Sequence, residues 1–441
     1  MRREDDRWDV GPMEPLSIRA SLLFSDSVVG HAQEGGAMVF VGVDWAEAHH
    51  DICVLDESGQ VVGKRRVPDG VEGIRRIHEL VSAQGGEPEQ VVVGIETDRG
   101  LLVGALLAAG YQVYAINPLS ASRYRDRHVT SRAKSDPGDA KVLADLVRTD
   151  RHNHRQVAGD SELAEAVKVL ARAHQDLIWS RQRFVNRLRS TLREFYPAAL
   201  EAFGGDLDSA EALTLLERAP TPGQGRQLSQ AKIVATLRKS GRKRNLESRA
   251  AQIQAALRAP NLQAPPRVSS AYGVIVKSMV AVVDDLNREL VGLEAELSQN
   301  FEGHPDAEIY RSLPGLGVIL SARVLAEFGD DPNRFDHPKS RKAYAGTAPI
   351  TKASGTRLVV LARVARNRRL ADACYWWAFS SLSGSAGARR YYDILRGRGQ
   401  THHQALRALG NRWVGILHGC LRHRSPYSET VAWPTPLEVA A

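Results

Sequence analysis

Four acids, Asp44, Glu96, Asp136 and Asp139, are the residues of this chain best suited to chemistry by type and spacing. Carboxylates are hard oxygen donors for Mg²⁺, with Mn²⁺ as the alternative ion, and such ions bind through a few carboxylates plus substrate phosphates. Held as a pair, they clamp the attacking and leaving oxygens of a displacement at phosphorus. Each acid also has a plainer role. Asp136 precedes Pro137 and has Asp139 three residues on, which is the pattern of a helix cap with proline at the first helical position. Asp44 and Glu96, taken singly, are solvated acids at strand ends. The four together, in this order on the right elements, favour phosphodiester chemistry.

The elements that must position them follow from hydrophobic periodicity. Met38 to Val43 is a short apolar run rich in β-branched residues, a buried strand with Asp44 at its mouth. Ile52 to Leu55 and Gln60 to Val67 flank a Gly-containing turn and read as a hairpin, so three antiparallel strands open the domain. A helix over Val71 to Gln84, a strand over Val91 to Ile95 ending at Glu96, a helix over Leu101 to Ala109 and a strand over Tyr111 to Ile116 complete a β-β-β-α-β-α-β order. In a ribonuclease-H-like α/β fold that order sets the Asp44 and Glu96 strands side by side. Asp136 and Asp139 begin the next apolar-periodic helix and share one of its faces.

Composition is compatible with a polyanionic partner. The 441 residues suffice for two or three domains, and the net charge of +8 with a pI of about 9.4 favours nucleic acid. The three cysteines are far apart and indicate neither a disulfide framework nor a zinc site, which points to a reducing, cytoplasmic setting. No run approaches the ~18 apolar residues of a membrane helix. Residues 1–37 carry early acids and no apolar core, so they are expected to be a disordered extension rather than a secretory signal.

Beyond the first domain the pattern becomes helical. Leu163, Val167, Leu170, Leu177, Phe184, Leu188, Leu192 and Phe195 recur near a 3.5 spacing, with His174 and Arg181 in intervening seam positions. Ile275, Met279, Val282, Leu286, Leu290, Leu293, Leu297 and Phe301 form a second such series, and the two are expected to pair as an antiparallel coiled coil. Arg181 and Arg187 on the first helix, with Arg242 and Lys243 in the basic stretch between the helices, are candidate phosphate contacts. Pro314-Gly315-Leu316-Gly317 resembles a helix-hairpin-helix turn that offers backbone N–H groups to a phosphate, making Gly315 and Gly317 candidates too. From Arg363 to Arg424 there are twelve arginines, no lysine and two acids, a bias that suits phosphate recognition and adds Arg366, Arg368 and Arg369. Most of the aromatics interleaved there are expected in the core.

The motifs Val41-Gly42-Val43-Asp44, Ile95-Glu96, Lys134-Ser135-Asp136-Pro137-Gly138-Asp139-Ala140, Pro314-Gly315-Leu316-Gly317 and Ala345-Gly346-x-Ala348-Pro349, with Ser354-Gly355 beyond, occur in an order and spacing that resembles the DEDD transposases of the IS110 insertion-sequence group. The resemblance runs from about Met38 to about Arg424. It implies a RuvC-type RNase H-like N-terminal domain, a helical coiled-coil middle and a mainly α C-terminal transposase domain with a helix-hairpin-helix-like element. The corresponding boundaries are 1–37, 38–158, 159–305, 306–425 and a tail over 426–441. It further implies that Asp44, Glu96, Asp136 and Asp139 are a metal-binding tetrad and that Ser354 is a nucleophile on DNA. Guidance by a structured noncoding bridge RNA pairing with donor and target DNA is implied as well, as is assembly into dimers or tetramers whose sites combine two chains. Two departures stand out: Thr97-Asp98-Arg99-Gly100 follows Glu96, placing a further acid near the tetrad, and Arg366-Asn367-Arg368 replaces an Arg-Gly-Asn element. The alternatives are a metal-dependent junction-resolving endonuclease with water as nucleophile, and a nucleic-acid-binding protein whose acids are caps. On the residues alone, Ser354-Gly355 is an ordinary turn.

Overall fold

The structure is a computed structural model that describes residues 37–85, 87–128, 136–157, 159–355 and 357–434. The expected extension over 1–37 falls outside these residues except for its last position. The chain divides into two compact units at residue 157.

The first unit is mixed α/β. Its elements are β1 (Val39–Trp45), β2 (His49–Leu55), β3 (Val61–Pro68), α1 (Val71–Ser82), β4 (Val91–Ile95), α2 (Leu101–Ala108), β5 (Gln112–Ala115), α3 (Pro118–His128), α4 (Asp136–Asp150) and the short β6 (Arg155–Gln156). Among the described residues the sheet order is β3-β2-β1-β4-β5-β6. β1, β2 and β3 pair antiparallel, β1-β4-β5 run parallel, and β6 closes antiparallel. β1 and β4 are near-continuous apolar runs because both faces of the sheet centre are covered. Val41, Val43, Val91 and Val93 pack on one side with Ile77 and Leu106. Phe40 and Val92 pack on the other with Ala140, Leu143, Ala144 and Val147 of α4.

The second unit is mostly helical. Its longest elements are α5 (Glu162–Phe195) and a helix over Pro266–Glu302, between which lie α6 (Pro197–Phe203), α7 (Ala210–Arg218), α8 (Pro222–Arg226), α9 (Gln230–Lys239) and α10 (Leu246–Arg258); the second long helix is therefore α11. Bonds from His174 to Glu294 (3.1 Å), Arg181 to Asn287 (3.0 Å) and Tyr272 to Glu194 run in opposite senses along the two chains, so the pair is antiparallel and lies within one chain. Phe195 stacks on Tyr272 at its far end (4.8 Å). In the first half of α11 the buried face is wider than the expected seam, which keeps Met279 but not Ile275. Ile275 is exposed while Val276, Val280 and Val283 are buried, because this half of α11 also packs against the cluster formed by α6, α7, α9 and α10.

The remaining elements are α12 (Ala307–Ser312), α13 (Val318–Phe328), α14 (Pro338–Tyr344), a hairpin of β7 (Ile350–Ser354) and β8 (Arg357–Leu361), α15 (Arg368–Gly384), α16 (Ala386–Gly397), α17 (His402–His423) and α18 (Glu429–Ala432). Trp377 and Trp413 stack at 5.6 Å in their core. Residues 378–384 are the last turns of α15, and Ser385 caps α16 by accepting from the Ala388 N–H (3.0 Å). The segment from 426, expected as tail, is also part of this core: Trp433 is buried and covers Gly387, where even a Cβ would lie 2.1 Å from the indole.

Candidate active site

The first cluster is assembled by backbone register. Val43 stands opposite Ile95 in the parallel β1-β4 pair, so the next residues along, Asp44 and Glu96, leave the sheet side by side. In the antiparallel β1-β2 pair, Asp44 faces Asp51. α4 supplies the other acids because it lies almost on the sheet backbone. Gly42 and Gly94 are paired across β1 and β4; a Cβ on Gly42 would lie 1.8 Å from the Ala140 carbonyl oxygen, and one on Gly94 would lie 2.6 Å from that of Leu143. Only glycine admits this approach. The contact at Ala140 fixes Asp139, its neighbour, over the end of β1.

The electrostatics report the convergence. Burial pushes the Asp44 carboxyl up to about 6, and Asp139, Asp136, Glu96 and Asp51 add to the rise in that order. Asp136 and Asp139 both lie in the first turn of α4, where the helix dipole favours negative charge and offsets part of the repulsion. Two arginines border the cluster. Arg66 donates to Asp51 (Nη2 to Oδ2, 2.7 Å) and reaches Asp136 (3.4 Å), while the Arg125 guanidinium lies 2.6 Å from Asp139 Oδ1, close but poorly aligned for a linear hydrogen bond. Asp51, His49 and Asp136 each offer an atom within 4.8 Å of the others. This donor set, mostly carboxylate and only partly neutralised, fits a hard divalent cation. Asp98 is instead tied to Arg155 at 3.1 Å.

Sequence reasoning named Asp44, Glu96, Asp136 and Asp139, and did not name Asp51, His49, Arg66 and Arg125, which the structure places beside them. Asp51 was legible only through strand register, since it belongs to the site by facing Asp44 across the hairpin.

Ser354 ends β7 beside a turn at Gly355, whose φ of +57° suits glycine, and pairs with Arg357 across the hairpin. It is exposed, and its hydroxyl has no hydrogen-bond partner among the described residues. Leu358 and Val360 on β8 are also exposed, at 67% and 61%. Ser381 and Ser385 are, by contrast, engaged: Ser381 is buried and accepts from Trp413 Nε1 (2.8 Å), and Ser385 bonds Glu429 (3.0 Å). At the hairpin's base, Arg366 lies across Gly346 (φ +72°), and Asn367 caps α15 while donating to Glu327 (2.6 Å). Burial alone would raise the Glu327 carboxyl, but bonds from Arg172 (2.8 and 2.9 Å) and Asn367 turn the net shift downward.

The candidate nucleic-acid residues fall into two groups. Arg181 bonds Asn287 and lies 3.7 Å from Asp208; Arg242 donates to Glu211 (2.7 Å); Arg369 pairs with Asp176 (2.8 Å) and stacks on Trp179 (5.0 Å). These three side chains are engaged within the second unit. Arg187, Lys243, Arg366 and Arg368 are exposed. Gly315, with φ +83°, is packed so closely that a Cβ would lie 2.5 Å from the Ser381 nitrogen, whereas Gly317 precedes α13 in open space.

The class is that of the insertion-sequence transposases: a DEDD transposase model of the IS110 type matches residues 41–197, and a model described as transposase, IS116/IS110/IS902 family, matches 307–393. The chain belongs to the IS116/IS110/IS902 family of transposases. It is 43% identical over 412 residues to the mini-circle putative transposase for IS117 of Streptomyces coelicolor, covering 92% of this chain and 100% of that one. It is 30% identical to an IS110 protein of the same species (91% and 98% covered) and 31% identical to an IS900 protein of Mycobacterium paratuberculosis (88% and 97%).

Proposed function

We propose that this transposase cuts and rejoins DNA strands with Ser354 as nucleophile, assisted by a divalent ion held at Asp44, Glu96, Asp136 and Asp139, and that a structured RNA selects the sites. The observation that carries the catalytic part is the convergence of the four acids, with Asp51, on one sheet end. The strand order β3-β2-β1-β4-β5, antiparallel then parallel, with α4 across the sheet centre, supports an RNase H-like, RuvC-type reading of the first unit. A bound Mg²⁺ would supply charge neutralisation at the phosphate and a lowered pKa for a coordinated hydroxyl.

The residues do the rest. Arg66 and Arg125 hold Asp51 and Asp139 in place, and the glycine contacts keep α4 from drifting. The Ser354 Oγ–P bond forms as the serine hydroxyl gives up its proton and one P–O bond of DNA breaks, and the released strand oxygen takes up a proton to leave as a hydroxyl. A hydroxyl of a new partner then attacks the phosphoserine and restores the serine. The number of phosphodiester-type bonds is conserved, so no ATP is needed. Exposed arginines of the second unit and the N–H groups at the start of α13 contact backbone, while base pairing by the RNA supplies sequence choice. Guidance by RNA, and a multimer in which different chains supply the acids and the serine, rest on the family resemblance.

Denaturing electrophoresis of reactions containing protein, element-end RNA, labelled donor and target DNA and Mg²⁺ tests this reading. Protein-linked DNA is expected with wild type and absent with Ser354→Ala and Asp139→Ala. Cleavage that survives in Ser354→Ala with no linked product would sink it in favour of a hydrolytic nuclease.

A further inference from the structure

Not all aromatics of the arginine-rich region went into the core. Trp376 and Phe379, one helical turn apart on α15, are 48% and 47% exposed, in contrast to buried Trp377. Tyr375 beside them meets His403 of α17 at 5.7 Å with the rings only 31° apart. Tyr375 and His403 border a cavity of about 380 Å³, walled also by the ring of Trp179 and by Arg366, Arg368 and Arg407. None of the three arginines has a carboxylate partner among the described residues. Asp372, the acid among the lining residues, is engaged by Arg323 (2.6 Å) and Gln175 (3.1 Å). The cavity is thus ring-walled, of small-molecule size, and rimmed by unneutralised guanidinium groups.

We infer that this cavity binds one unpaired nucleotide of a nucleic-acid strand, its base against the ring surface formed by Tyr375, His403 and Trp179 and its phosphate on Arg366, Arg368 and Arg407. The exposed Trp376 and Phe379 continue the stacking surface to a neighbouring base. Aromatic faces accept any base, and Arg gives planar, two-pronged contacts to phosphate. A base in a duplex is stacked on both sides and cannot enter. The proposal rests on the reading of the chain as an enzyme acting on nucleic acid and adds that it holds a strand opened at one position. The strand is DNA or RNA, which share this chemistry.

The test is fluorescence anisotropy on the full chain with short oligodeoxynucleotides and oligoribonucleotides of one sequence and with an abasic strand of equal length. Wild type is expected to prefer the base-bearing strand by about tenfold. His403→Ala, on the exposed rim, and Tyr375→Leu should each erode that preference. Arg368→Gln with Arg407→Gln should weaken all strands alike and reduce the salt slope by about 1–2. A preference with either sugar supports the site and identifies the strand. Equal affinity of wild type for base-bearing and abasic strands, or a preference unchanged in both aromatic variants, overturns it. The two readings separate cleanly: base preference without Ser354-linked DNA leaves the cavity standing and removes the serine mechanism, whereas linked DNA without base preference does the reverse.

Discussion

The carboxylate cluster and the serine hairpin are built by opposite means. Around Asp44, strand register, paired glycines and the first turn of α4 fix every acid through backbone, and burial together with the resulting crowding holds one carboxyl up at about 6. Around Ser354 there is a two-stranded ribbon with exposed Leu358 and Val360 and a hydroxyl that no described side chain restrains. The difference teaches that charge repulsion must be held by rigid packing, whereas the proposed nucleophile, which would be bonded to its substrate, must be able to reach it and later release it.

The largest effect that sharpens this contrast is functional. Ser354→Ala should lower DNA linkage by at least about 10³-fold, measured on denaturing gels, while leaving the melting temperature unchanged. Next is Gly42→Ala, whose Cβ would strike the Ala140 carbonyl. Expected is a loss of about 1–3 kcal/mol or more in chemical denaturation, with linkage lost as Asp139 is displaced. Smaller is Asp44→Asn. Because the folded carboxyl titrates above its ordinary value, folded protein binds more protons than unfolded between about pH 4 and pH 6, and stability falls as pH rises through that window. The metal-free variant should therefore be more stable than wild type at about pH 7 by roughly 1–2 kcal/mol, allowing for solvent screening. That gain should vanish below about pH 4, as thermal melts in EDTA will read. Smallest is the hairpin pair Leu358→Thr with Val360→Thr, expected to alter stability by no more than about 0.5 kcal/mol. A large loss there would show that the ribbon is held as firmly as the sheet.

Much of the architecture was legible because it is written in short-range periodicity: β1, β4, α1, α4 and the antiparallel α5-α11 pair all lie where apolar spacing put them. What escaped depends on distant partners. Asp51 joins the cluster only through its register with Asp44, and Gly42 looked like part of a strand until α4 was laid on it. Arg242, read as a phosphate contact, lies against Glu211 thirty-one residues away. Trp376 and Trp377 are neighbours in sequence with opposite fates, which only the packing of α15 on α17 decides. The same dependence added Val276, Val280 and Val283 to the buried face of the first half of α11 and left Ile275 exposed.

The most direct test of the central claim, that the first cluster is a metal-holding site independent of the serine, is calorimetric titration of Mn²⁺ into the full chain and its variants at about pH 7, above the Asp44 titration. Wild type and Ser354→Ala should bind alike, and Asp44→Asn and Asp139→Asn should lose the site. Binding that is unchanged in both carboxylate variants, or lost in Ser354→Ala, would contradict it.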